Sequence, residues 1–235
     1  MKPMTLILIS CGFVLAACGG SSAGVSGERG SVRLGGWPSN TTATVRFLNL
    51  VSEAAVLEVR VTEEGGFEYR LPALSGSDLQ PVTQLLASGC TANPTTANLA
   101  PVAALGETES GRAFYPFAID FPLDAPRLRV GDELFNYLDG FDVGWYYSDQ
   151  DVTIGCRGWS GTLKFKKGWN LSVTKITDAE DGVVKAVEQS SPNSLSSPFS
   201  FYAEFGSRSL GQSSAAMLSP EYRAKAARLL ARALK

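Results

Sequence analysis

The stretch AVLEVRVTEEGGFEYRL, residues 55–71, decides the fold. Ala55, Leu57, Val59 and Val61 alternate with Val56, Glu58 and Arg60, and Phe67, Tyr69 and Leu71 alternate with Glu68 and Arg70. A period of two with apolar residues on one parity marks strands that bury one face. Glu64-Gly65-Gly66 between the two runs is turn chemistry, because glycine enters backbone conformations that side chains disfavour. The segment therefore reads as a β-hairpin.

Working outward, the same pattern predicts four strands over 31–36, 43–50, 55–62 and 66–71, with Pro38-Ser39-Asn40 as a further turn. The N-terminal β region is set at 31–73. Its motif GGW…V…EEGGFEYRLP resembles the transthyretin-like and carboxypeptidase-regulatory-like β-sandwich modules, in which a Gly–aromatic hairpin strand closes the unit. The resemblance spans 31–72 and implies architecture alone, with no catalytic residue. A unit this small does not bury enough surface to stand alone, so it is expected to pack on the β region C-terminal to it.

A second β region is predicted over 113–208. Phe141, Val143, Trp145 and Tyr147 share one parity; Val152, Ile154 and Cys156 share the inner face of another strand. Leu163 and Phe165, then Trp169, Leu171 and Val173, then Phe199, Phe201, Ala203 and Phe205 continue the series. Short strands at this spacing suggest an antiparallel β-sandwich, either one composite or two small ones packed together. The segment WYYSDQDVTIGCRG…GTLKFKKGWNLSVTKI is similar to hairpins of uncharacterised bacterial lipoproteins, a family without an established activity. Between the two regions, 74–112 is read as a helix and a crossover loop. Ser77-Asp78-Leu79-Gln80 suits a capping box, Leu79, Val82, Leu85 and Leu86 fall on one helical face, and Gly89 suits the helix end. Residues 219–235 are predicted as an amphipathic helix opened by Ser219 and Pro220, with Tyr222, Ala226, Leu229, Leu230 and Ala233 on one face and Lys225, Arg228, Arg232 and Lys235 on another. Its apolar face is expected to pack on the sandwich; contact with anionic lipid or a partner protein is the alternative.

The N-terminus carries a different signal. Met1 and Lys2 precede an apolar run from Met4 to Ala17 that ends in small residues, the layout of a secretory signal peptide over 1–17. The run is shorter than the ~20 residues a spanning helix needs. Leu15-Ala16-Ala17-Cys18 resembles the lipobox of bacterial lipoproteins, which implies diacylglyceryl transfer to the Cys18 thiol and cleavage just before it. Leu8-Ile9-Ser10-Cys11 fits the same pattern but would leave an apolar segment at the short end of the usual range. Residues 18–30, rich in Gly and Ser, are expected to form a flexible tether to a cell or outer membrane, with the body facing the periplasm or exterior.

Composition narrows the chemistry. The 235 residues carry a formal net charge of −2, which gives no sign of nucleic-acid binding. There is no histidine, which removes Ser-His-Asp and Cys-His catalysis and histidine-ligated metals. Of the four cysteines, Cys90 and Cys156 remain once Cys11 and Cys18 are assigned, an even pair that reads as a disulfide in an oxidising compartment. No cofactor or metal is expected. Gly20-Ser21-Ser22-Ala23-Gly24 spells G-x-S-x-G without the strand–turn–helix that motif requires, and Ser172-Val173-Thr174-Lys175 spells S-x-x-K on a predicted strand rather than at a helix start. Asp139, Asp142, Asp149, Asp151 and the 178–182 run read as turn and solvated carboxylates.

Three readings of function emerge. The leading one is a membrane-anchored, non-enzymatic structural or interaction module of the cell envelope, its partners the membrane through the N-terminal lipid and an envelope protein or glycan. The second is a carbohydrate- or wall-binding module using Tyr146, Trp159 and Tyr202, the aromatics that alternation leaves outside. The third is a histidine-free hydrolase built on a carboxylate pair.

Overall fold

The structure, a computed structural model, describes residues 25–120, 128–130, 133–135, 141–180, 183–195, 200–205, 218–222, 224 and 228. The signal peptide, Cys18, residues 18–24 of the expected tether, Asp139, Asp181-Gly182, Phe199 and most of 219–235 lie outside the described residues.

The chain is mainly β. Its strands in order are β1 (Val25–Ser26), β2 (Arg29–Arg33), β3 (Ala43–Asn49), β4 (Ala55–Val61), β5 (Gly66–Arg70), β6 (Gln80–Pro81), β7 (Cys90–Asn93), β8 (Asn98–Thr108) and β9 (Ala113–Asp120). Next come β10 (Leu128–Val130), β11 (Glu133–Phe135), β12 (Phe141–Ser148), β13 (Val152–Cys156), β14 (Trp159–Ser160) and β15 (Leu163–Phe165). The last are β16 (Gly168–Glu180), β17 (Val183–Ser190), β18 (Ser194–Leu195) and β19 (Ser200–Phe205). A single-turn helix, α1 (Val82–Leu85), interrupts them.

Among the described residues a large sheet runs β14-β17-β16-β12-β8-β3-β4, with β9, β19 and β6 joined at its side. Almost all its pairings are antiparallel; β14 with β17 is parallel. One face of this sheet is covered by a second sheet, and the other is covered in part. On one face lies the sheet β18-β1-β2-β5. Between the two sheets sits the main core, with Val32, Phe47, Phe67, Tyr69, Val102, Phe117, Trp145, Leu171 and Phe201 all buried. Its centre is aromatic: Trp145 stands 4.4 Å from Phe117 and 5.6 Å, edge-on, from Phe47. The offset and edge-to-face geometries that aromatic rings favour recur through the cluster.

On the other face, α1 and the sheet β15-β13-β7 cover the β8–β12 end and enclose a second core of Val82, Leu85, Leu99, Tyr146, Ile154, Leu163 and Phe165. The body is thus a composite antiparallel sandwich whose large sheet serves two cores. Cys90 and Cys156 are directly paired across β7 and β13 and joined by a disulfide, Cα to Cα 3.9 Å.

The strands expected over 43–50, 55–62 and 66–71 appear as β3, β4 and β5, and that expected over 31–36 is found at 29–33. Three expectations need correction. The tether does not extend to residue 30: Val25 is fully buried, β1 pairs with β18 and β2, and folded structure reaches back to residue 25. Residues 90–112 are not a crossover loop. They hold β7 and the eleven-residue β8, which runs through the middle of the large sheet. Ser77 does not open a helix: a 3-10 turn at Gly76–Asp78 has no side-chain cap, and regular helix in this stretch is confined to α1, where Val82 and Leu85 face the second core as the helical spacing required. Pro81 stands at the N-cap of α1 and offers no side-chain oxygen, so the turn is held by burial rather than by capping.

Near the C-terminus Leu218 is buried and bridges Leu86, the Ser219 N–H donates to the Leu85 carbonyl, and residues 220–222 are helical. Tyr222 packs against the second core. This end of the segment therefore rests on the body.

Candidate functional site

The three aromatics read as a sugar-stacking face are not brought together on a surface. Tyr146 is 2 % exposed and stacks on Phe165 with ring centroids 5.1 Å apart. Alternation correctly puts it on the face opposite Trp145, but that face is not solvent: α1 and the β13–β15 sheet lie over it. Trp159, on β14, is half-buried and packs against the same second core. Tyr202 lies on β19 opposite Ala118, and its side chain is outside the described residues. Trp145 and Tyr147 face the main core, as their parity predicted.

Asp149 and Asp151 are engaged in holding turns and strands. The Asp149 carboxylate accepts from the Asn98 backbone N–H at 2.9 Å and from Asn98 Nδ2 at 2.7 Å, pinning the β12–β13 turn to the start of β8. The Asp151 carboxylate accepts from Lys166 Nζ at 2.7 Å and from the Lys167 N–H at 2.9 Å. The Lys166 bond, then that of the Lys167 N–H, hold its pKa below the ordinary value. On the open face of β4-β3-β8, Arg46 donates to Glu58 and to Glu107, each at 3.0 Å, and Arg60 lies 3.5 Å from Glu109. Among the described residues no three Asp, Glu, Cys or His side chains gather as metal ligands would. Ser172 of the S-x-x-K sequence is buried on β16 opposite Gly144, and residues three apart on a strand face opposite sides.

Two buried residues with polar atoms organise the fold. Asn49 is fully buried; its Oδ1 accepts from the Val51 N–H at 2.7 Å and its Nδ2 donates to the Asp78 carbonyl, tying the β3–β4 turn to the 3-10 turn. Asn in the local sequence Leu48-Asn49-Leu50 is the available sign, since a short amide side chain bonds readily to backbone two residues on. Tyr69 Oη donates to the Ser26 carbonyl at 2.7 Å and accepts from Trp145 Nε1 at 3.4 Å. Burial raises its pKa, only partly countered by the Trp145 bond, so the phenol stays neutral throughout the ordinary pH range.

The charged surface is uneven. Where β1 turns into β2, a Cβ on Gly27 would stand 2.7 Å from the backbone of Trp169 and Asn170, so this turn lies flat on the start of β16. Around that contact the Leu71 N–H donates to the Glu28 carbonyl, Trp169 Nε1 donates to the Pro72 carbonyl, and Asn170 Oδ1 accepts from the Lys166 N–H. Arg29, Arg70, Lys164, Lys166 and Lys167 are all exposed here. Glu28, 3.5 Å from Arg70, and Asp151, on Lys166, offset two of them.

The chain matches no protein-family model, no curated protein and no solved structure.

Proposed function

We propose that the chain is an extracytoplasmic lipoprotein of the cell envelope, held to a membrane by lipid on Cys18, whose β body is a non-enzymatic structural or interaction module. The observation that carries the reading is the apolar run Met4 to Ala17 closing on Leu15-Ala16-Ala17-Cys18. Two acyl chains anchor stably where one is marginal, since each buried methylene contributes about 0.8 kcal/mol. The pairing of Cys90 with Cys156 supports an oxidising compartment on the far side of that membrane. A non-catalytic body is supported by the absence of histidine from the chain and by the bonds that tie Asp149 and Asp151 to neighbouring backbone.

Growth with an alkyne-bearing fatty acid tests the anchor. Label should enter the wild-type chain and Cys11→Ala, and should be absent from Cys18→Ala. Label retained by Cys18→Ala would refute the assignment.

A further inference from the structure

We infer that the basic surface formed by the Lys164–Trp169 segment and the Arg29–Arg70 strand pair lies against the anionic headgroups of the membrane that holds the anchor. The inference rests on the proposed lipidation of Cys18 and adds to it the face that the body turns to the bilayer.

The tether is short. Residues 19–24 separate Cys18 from Val25, which is already fully buried in the main core. At 3.3–3.6 Å per residue, seven steps span at most roughly 25 Å. A body tied this closely does not range freely, and the surface around β1 stays beside the bilayer. That surface is set by contacts already described: β1 pairs with β18 through Val25–Leu195 and Ser26–Ser194, and Gly27 rests on Trp169 and Asn170. Just before β18, the Ser191 hydroxyl donates to the Lys164 carbonyl at 3.1 Å and accepts from the Lys164 N–H at 3.0 Å. The sequence Lys164-Phe165-Lys166-Lys167-Gly168-Trp169 is thus fixed at the point where the chain enters the fold. Phe165 points into the second core while the three lysines stay outside.

Five exposed cations gather at this end of the body, two of them paired: Arg70 with Glu28 and Lys166 with Asp151. At the anchor end Arg29 and Arg70 are directly opposite each other in register across β2 and β5. Like charges in that position destabilise a sheet. Glu28 offers one carboxylate, and Glu68 lies two residues away along β5. Lys164, Lys166 and Lys167 add cations on the adjoining segment, in a chain whose net charge is −2. Anionic headgroups attract cations held near the surface, and tryptophan suits the headgroup level. Trp169 is half-buried against the main core, its ring edge-on to Tyr147 at 5.3 Å.

The test uses the full lipidated protein, extracted from envelopes in detergent and reconstituted into vesicles of phosphatidylcholine alone or with phosphatidylglycerol. Lysines are acetylated briefly and read by peptide mass. Acetylation of Lys164, Lys166 and Lys167 should fall roughly five-fold in the anionic vesicles and recover at high salt. Equal labelling of these lysines in both vesicles, with acyl mass present on Cys18, overturns this inference and leaves the anchor standing. Protection of Lys225 and Lys235 in their place overturns it in favour of the C-terminal segment. Absence of acyl mass on Cys18 overturns the anchor and this inference together.

Discussion

Tyr69 stands directly across from Gly30 in the β2–β5 pair, and its ring occupies the space a side chain at 30 would need: a Cβ there would lie 2.6 Å from the ring. Beyond the glycine the Tyr69 hydroxyl reaches the Ser26 carbonyl, so one side chain joins β5, β2 and β1. Gly106 and Phe114 repeat the arrangement on β8 and β9, where a Cβ would lie 2.2 Å from the ring. Aromatic rings laid over glycines in a neighbouring strand pin register and cover exposed backbone.

These pairs predict where small changes are costly. Gly30→Ala and Gly106→Ala should each destabilise by about 1–3 kcal/mol, because a buried ring must leave its place. Gly155→Ala, whose Cβ would meet only Thr162 at 3.5 Å, should fall within about 0.5 kcal/mol of wild type. Urea denaturation of the three variants checks the contrast. Equal effects would contradict the packing described.

Tyr69→Phe removes the bond to the Ser26 carbonyl and the acceptor for Trp145 Nε1 while leaving the ring in place. The expected loss is about 1–3 kcal/mol, the range for leaving a buried polar group unsatisfied. Amide exchange should accelerate most in β1, whose tie to β5 is lost. Uniform acceleration across the sheet would argue against this tie.

The disulfide closes a long covalent loop, its cysteines 66 positions apart in sequence. In the chain-entropy model such a loop contributes about 4 kcal/mol. Replacing both Cys90 and Cys156 by Ala should lower the denaturation midpoint accordingly. A shift too small to measure would mean that the β7–β13 pairing stands without the bond.

Asp151 gives a pH signature. Its pKa is depressed, so its bonds to Lys166 and Lys167 are present at and above the ordinary carboxylate range and are lost as pH falls through the lowered value. Carboxyl NMR should find its midpoint below that of an unpaired aspartate. Lys166→Gln should raise the midpoint without restoring the ordinary value, since the Lys167 N–H still donates. An unchanged midpoint in that variant would contradict the pairing.

Much of the fold is legible where strands bury one face. β4 and β5 show clean alternation because Glu58, Arg60, Glu68 and Arg70 look outward. β8 escapes detection for the opposite reason. Leu99, Pro101 and Leu105 on one side and Ala100, Val102 and Ala104 on the other are all buried, so no polar parity remains. A strand covered on both faces reads as a plain apolar run, and its small residues and proline make it resemble a loop. The same covering layer explains Tyr146. Periodicity assigns a residue to a face of its sheet; whether a second layer covers that face depends on α1 and the β13–β15 strands, and α1 is distant in sequence. Tyr146→Ala should therefore cost about 3 kcal/mol of stability, as for other large buried aromatics, rather than act on a surface.

The proposed anchor stands on Cys18. The most direct measurement is the intact mass of the N-terminal peptide from protein purified out of native envelopes. That peptide should begin at Cys18 and carry a diacylglyceryl mass on its sulfur. A peptide that still begins at Met1, or one cleaved but free of acyl mass, would contradict it.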